Sequence, residues 1–192
     1  GDMADWMDGL MASLSVAQAT LVGHSQGVLV ALETASRHPE RVAALTLIAG
    51  AMAIPVNDAL IEMSQSAPEK AFRMMTSWGH GPGAHKFDNT QPGHAFLGYG
   101  RRVMAQNDGA ALHADLVACN SYDGGKDAAA SVTQPSLCLL AGKDKMTPVK
   151  FGRKMAEQIS GAQCHVFERA GHFLPAEFPI EVNDAMAAFL SR

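Results

Sequence analysis

A chain of 192 residues, 47% hydrophobic and 18% charged with a formal net charge of −4, has the make-up of a water-soluble protein with one sizeable core plus an insertion. It lacks the basic excess of a nucleic-acid binder and any charge-free apolar run near the roughly 20 residues that span a bilayer, so neither nucleic acid nor membrane is expected as a partner and a cytoplasmic location is the default. Cys119, Cys138 and Cys164 are odd in number and show no C-x-x-C spacing, which predicts free, buried thiols rather than disulfides.

In chain order, Met3, Trp6, Met7, Leu10, Met11 and Leu14 recur at three- and four-residue intervals and predict a helix with one apolar stripe. Ala19 to Val22 reads as a strand, Val28 to Arg37 as a helix, and Val42 to Ile48 as a second strand whose Leu45, Leu47 and Ile48 form a nearly continuous buried run. That alternation is the pattern of βαβ units in a parallel sheet. It stops from about Ala49 to Ser131, where helical pieces are predicted around Asp58 to Ser64, Pro68 to Trp78, Phe96 to Gln106 and Ala110 to Ser121. A long turn-rich loop, Gly79-His80-Gly81-Pro82-Gly83 through Gln91-Pro92-Gly93, separates the second and third of these. The α/β pattern resumes at Ser136 with strand-like runs Leu137 to Ala141 and Gln163 to Phe167. Thr147-Pro148 is expected to cap a helix with Gly152, Met155, Ala156 and Ile159 on one face, and Pro179 to open a last helix with Val182, Met186, Phe189 and Leu190 inward. The expected organisation is an α/β core of residues 1–49 and 132–192 with a helical cap insertion at 50–131.

The segment Gly23-His24-Ser25-Gln26-Gly27, between the first strand and its helix, reads as a nucleophile elbow: a serine on a tight turn, with glycines leaving room for neighbouring backbone. A glycine-flanked turn with a capping serine would give the same letters, so the reading leans on the strand and helix that flank it. The helix start supplies N–H groups and partial positive charge where an oxyanion would form. Two later strand ends offer an acid and a base in the order Ser, Asp, His: one runs into Gly142-Lys143-Asp144, the other into Glu168-Arg169-Ala170-Gly171-His172. Loops after strand C-termini share one edge of a parallel sheet, so Ser25, Asp144 and His172 can converge there. His172 would take the Ser25 proton, Asp144 would fix its tautomer, and Lys143 and Lys145 would help keep the acid ionised.

On Leu21-Val22-Gly23-His24-Ser25-Gln26-Gly27, His38-Pro39-Glu40-Arg41-Val42, Ala141-Gly142-Lys143-Asp144 with Thr147-Pro148, and Ala170-Gly171-His172 with Pro179, the chain resembles the cap-bearing serine hydrolases of the α/β-hydrolase family over nearly its whole length. The resemblance implies a parallel sheet with flanking helices, the C-terminal part of that fold, and makes Ser25 the nucleophile, Asp144 the acid, His172 the base and the Gln26 backbone N–H an oxyanion donor. It implies no cofactor and no metal. The expected activity is carboxylesterase-like hydrolysis of an ester or related acyl bond in a small, largely apolar substrate through an acyl-enzyme; carbon–carbon bond hydrolases, peptidases and perhydrolases use the same triad. Val28 stands where many relatives have a second glycine. A larger departure is that the strands preceding the nucleophile strand in relatives, and the loop supplying the second oxyanion N–H, are missing, so the sequence reads as starting partway through a domain. A non-catalytic fragment or interaction module is therefore the alternative class, and self-association or pairing with a missing N-terminal portion is expected at the open sheet edge.

Several side chains have competing readings. Asp58, shortly after the second strand, is a rival for the acid. His80, His85 and His94 read as solvated loop histidines, since their spacing matches no common metal-ligand motif. His24 is expected beside the elbow, His113 on a helix face and His165 in a strand. Met74, Met75 and Trp78 are the candidate substrate-binding side chains, although methionine at helical spacing fits ordinary core equally well.

Overall fold

Four parallel strands carry the molecule: β1 (Ala19–His24), β2 (Val42–Ile48), β3 (Ser136–Ala141) and β4 (Gln163–Phe167), hydrogen-bonded in the order β1-β2-β3-β4. They are seen in a computed structural model that describes residues 1–86 and 95–191. β3 is buried along its whole length because helices cover both faces, and its residues alternate between two cores. Cys138 and Leu140 join Leu32, Leu45, Leu47 and Met155 on one face. Leu137 and Leu139 join Ile48, Leu174, Val182 and Phe189 on the other.

Helices α1 (Asp2–Ser13) and α2 (Gln26–Arg37) flank β1 in sequence. The α1 stripe is narrower than its periodicity suggests: Ala4 and Met11 are buried, whereas Met3, Trp6 and Leu14 are exposed, because only the edge centred on Ala4, Met7 and Met11 lies towards the core. Polar ties from Arg37 and His38 to Asp5, and from Arg41 to Asp8 at 2.6 Å, fix its direction.

Between β2 and β3 lie α3 (Asp58–Ser66), α4 (Pro68–Gly79), α5 (Phe96–Met104), α6 (Gly109–Ser121) and α7 (Gly125–Ser131). Asn57 caps α3 by accepting from Leu60 N–H, and Pro68 opens α4 at a position where no N–H is needed. α3, α4 and α6 pack on one another around Leu60, Ala71 and Leu116. α7, which carries no strong periodic signal, packs instead on α2 and on α8 (Val149–Gln158), placing Ala128 and Ala129 in the main core. The last elements are α9 (Leu174–Glu177) and α10 (Pro179–Leu190).

Three expectations about side chains are corrected. Leu190 is 50% exposed, since α10 turns only Val182 and Phe189 fully inward. Cys164 is exposed because β4 is an edge strand; Cys119 and Cys138 are buried, and all three thiols are free. His80 is 3% exposed and therefore not a solvated loop residue, while His85 is exposed. His94 and Gln91-Pro92-Gly93 lie outside the described residues.

The turn after β2 explains how Val28 is housed next to the elbow. Val28 is fully buried, and a Cβ on Gly50 would lie 2.7 Å from the Val28 Cβ, so the space of a missing side chain at residue 50 is filled by Val28. Gly50→Ala is expected to destabilise the fold by about 1–3 kcal/mol through overpacking. Adding Val28→Ala should relieve part of that loss. Urea denaturation of the four forms checks this, and strictly additive free energies would refute the steric coupling.

Candidate active site

Ser25 follows β1 directly with φ 56° and ψ −120°, a conformation rarely adopted by a residue with a side chain. It is held there by its N–H, which donates to the Ile48 carbonyl at 3.0 Å, and by its own carbonyl, which accepts from Val28 N–H at 2.9 Å. Gly23 is required beneath it: a Cβ there would sit 2.6 Å from the Gly27 carbonyl carbon. Gly27 itself differs from the expectation, since a Cβ at that position would meet nothing within 4 Å. The Ser25 side chain makes no capping hydrogen bond to α2, which removes the reading of the motif as a capped turn. Gln26 is the first residue of α2, where a backbone N–H has no partner in the helix ladder by position.

Two later turns bring a buried acid and a buried imidazole together. His172 Nδ1–H donates to Asp144 Oδ2 at 2.8 Å, and both residues are almost wholly inside the protein. The other carboxylate oxygen accepts from the Met146 and Thr147 N–H groups, each at 2.8 Å. The Thr147 hydroxyl lies 2.7 Å from Asp144 Oδ2 and 2.8 Å from the Ala49 carbonyl, with one proton to give. Burial alone would raise the proton affinity of Asp144; the hydrogen bond and charge of His172, with the two contacts from Thr147, outweigh it and hold the carboxyl below its ordinary value. Lys143 and Lys145 are not among the main causes.

His24, the last residue of β1 and the neighbour of Ser25, ties this pair to the elbow. Its Nε2–H donates to the His172 carbonyl at 2.7 Å, and the two rings lie 4.8 Å apart. Burial, followed by repulsion from His172, pushes the His24 pKa down to about 4, so it stays neutral at physiological pH and adds no competing charge beside the imidazole. Asp58 is exposed in the first turn of α3, and no hydrogen bond among the described residues joins it to His172.

A cavity of about 240 Å³ opens on Ser25 and Gln26, walled mainly by apolar side chains such as Leu60, Leu112 and Leu116. Met75 and Trp78 line it; Met74 packs instead among the apolar side chains around Leu60 and Ala71. Of the remaining histidines, His113 Nδ1 lies 3.1 Å from the Ser64 hydroxyl between helices, and His165 is exposed on β4. Two contributors escape the motif reading. Thr147 looks like a helix cap but makes no cap bond to α8; the signal was its place just past an Asx turn, in which Asp144 accepts from Met146 N–H two residues on and from Thr147 N–H next to it. His24 shows its hydrogen bond to His172 only once the sheet is assembled.

Residues 1–185 match the alpha/beta hydrolase family. The chain belongs to this family. Among its alpha/beta hydrolase relatives, a 2-hydroxymuconate semialdehyde hydrolase of Pseudomonas sp. (strain CF600) is 26% identical over 209 residues, covering 97% of this chain and 68% of that protein. A pimeloyl-(acyl-carrier protein) methyl ester esterase of Neisseria meningitidis serogroup B (strain ATCC BAA-335 / MC58) is 28% identical, covering 89% and 68% respectively. The fold is shared with the enol-lactonase from Burkholderia xenovorans LB400, at TM-score 0.88 and 20% identity over 98% of this chain and 72% of that one. It is shared too with an esterase from Exiguobacterium antarcticum, at TM-score 0.86 and 19% identity over 98% and 72%. Among the described residues no helix is long and apolar enough to cross a membrane.

The lowered Asp144 pKa fixes a sign. A carboxyl whose folded pKa lies below the unfolded value contributes stability that is complete above the unfolded pKa, ordinarily near 3.8, and is lost as pH falls through the folded one. Asp144→Asn should therefore be less stable than the parent at pH 7, with the gap narrowing below the ordinary carboxyl pKa near 3.8. Chemical denaturation at pH 7 and pH 3 measures it; a gap that does not change with pH would contradict the charged state assigned to Asp144.

Proposed function

We propose that this alpha/beta hydrolase is a serine hydrolase that cleaves an ester or related acyl bond of a small, largely apolar substrate through Ser25, His172 and Asp144. The observation that carries the reading is the buried 2.8 Å hydrogen bond from His172 Nδ1–H to Asp144, tied through His24 to the strained elbow at Ser25. With Nδ1 protonated and bound, Nε2 is the basic nitrogen of the ring. In the proposed reaction Ser25 Oγ attacks the carbonyl carbon while His172 Nε2 takes its proton, and Asp144 stabilises the imidazolium. The oxyanion is met by the Gln26 N–H at the start of α2, where the helix dipole favours negative charge. His172 then protonates the leaving alcohol, and water resolves the acyl-enzyme by the same steps in reverse order. A cavity of about 240 Å³ with apolar walls supports a small acyl group, and helices α3, α4 and α6, which contribute Leu60, Met75, Trp78 and Leu116 to it, would act as its cap.

The relatives' names support hydrolysis in general and include an ester hydrolase, which is the chemistry favoured here. The test uses short-chain p-nitrophenyl esters together with a fluorophosphonate, which labels an activated serine whatever its natural substrate. Labelling should map to Ser25 and vanish in Ser25→Ala and His172→Ala. Asp144→Asn should lower turnover by about 10⁴. Asp58→Asn should change it little. Esterase activity surviving Ser25→Ala would refute the proposal, and equal losses in the two aspartate variants would refute the choice of acid.

A further inference from the structure

Glu177 is a buried acid with no part in the chemistry above. It ends the four-residue α9, is 8% exposed, and spends both carboxylate oxygens on backbone. Oε2 accepts from the Gly81 N–H at 2.9 Å, and Oε1 accepts from the Gly171 N–H at 3.1 Å. Gly81 lies just beyond the end of α4; Gly171 immediately precedes His172. One side chain thus joins a segment of the helical insertion to the turn that carries the base.

The two segments cross in direct backbone contact. A Cβ on Gly171 would lie 2.6 Å from the His80 carbonyl carbon, and one on Gly81 would lie 2.8 Å from the Gly171 nitrogen, so no side chain fits at either position. On the far side of His172, Phe173 N–H donates to the Gly79 carbonyl at 3.0 Å. His172 is therefore bracketed: residue 171 is tied to residue 81 through Glu177, and residue 173 is tied to residue 79 directly. The Phe173 ring lies 4.8 Å from the His80 ring, whose Nδ1–H returns to the Thr76 carbonyl inside α4 at 2.8 Å. Met75 and Trp78, which wall the cavity over Ser25, belong to that same helix.

We propose that Glu177 is a positioning residue that locks the C-terminal end of α4 to the His172 turn, setting the distance between the base and the α4 side of the cavity. The proposal rests on the reading of Ser25 and His172 as nucleophile and base. A carboxylate suits the task because two N–H groups converge from opposite segments and need an acceptor with two oxygens. Burial raises its proton affinity and the two N–H bonds work against that, so the group is costly to keep and would not be needed for filling space. An amide of the same shape accepts through one oxygen only and turns an NH₂ group towards the second donor.

Glu177→Gln separates clamping from packing because volume is preserved. It is expected to stay folded, with a cooperative thermal transition, and to lower kcat on p-nitrophenyl esters by about 10–100-fold while KM moves far less, as a displaced base would. Hydrogen–deuterium exchange should show protected amides at residues 81 and 171 in the parent protein, with protection falling at both in Glu177→Gln and little change in β3. Ser25→Ala is assayed alongside. Activity that depends on Ser25 but keeps its parent kcat in Glu177→Gln overturns the clamp alone; activity that survives Ser25→Ala overturns the underlying reading and the clamp with it. If Glu177→Gln fails to fold, exchange in the parent still decides, since unprotected amides at 81 and 171 overturn the clamp and protected ones support it.

Discussion

A carboxylate taken out of water keeps its charge only if its lone pairs are met, and most of the architecture around the candidate site follows from meeting those of Asp144. The turn after β3 curls back so that two successive N–H groups reach one oxygen. The second oxygen receives the imidazole N–H, which orients His172, with Thr147 alongside. Thr147 in turn reaches the Ala49 carbonyl at the end of β2, and His24 reaches the His172 carbonyl from the end of β1. Four strand ends are thereby joined through one buried negative charge. Unpairing it would strand a charge in the interior, which is why the arrangement holds together as a unit rather than as separable contacts.

The α/β pattern, the elbow and the order of acid and base were legible because each is written in a short stretch: an apolar run, a turn signature, then the next element. Asp144 and His172 could be paired on strand order alone, since consecutive parallel strands deliver their trailing loops to one edge. What stayed hidden depends on distant segments meeting. Nothing near His80 predicts that Phe96 and Phe173 will enclose it, and nothing near Cys164 says that β4 lies at the rim of the sheet. α7 escaped for a different reason: seven residues, mostly small, give too little periodicity to register, and its identity comes from the groove beside α2 that it fills.

The exposed residues on α1 illustrate a limit of amphipathic reading. Apolar spacing identifies a helix, but the width of its buried face is set by whatever lies opposite, and here only the edge of Ala4, Met7 and Met11 lies towards the core. The same logic applies to Met74 and Met75, neighbours in α4 with different surroundings: one turns into the cluster between helices while the other also lines the cavity. Adjacent residues on a helix point about 100° apart, so a methionine pair can serve packing and a pocket at once.

The last residue of β2 and the two that follow take on a second meaning in this light. Ile48 offers its carbonyl to Ser25, Ala49 offers its own to Thr147 while adopting φ 45°, and Gly50 leaves room for Val28. Three consecutive residues thus set the placement of groups on both sides of the proposed reaction, although none of their side chains enters it. A substitution that shifted this tripeptide would disturb nucleophile and acid together, so its effects cannot be repaired by a single compensating change at either. Laboratory evolution towards new substrates therefore has its freest ground elsewhere, in the cavity walls of α3, α4 and α6, where variation alters shape without touching the frame that holds the polar groups in common.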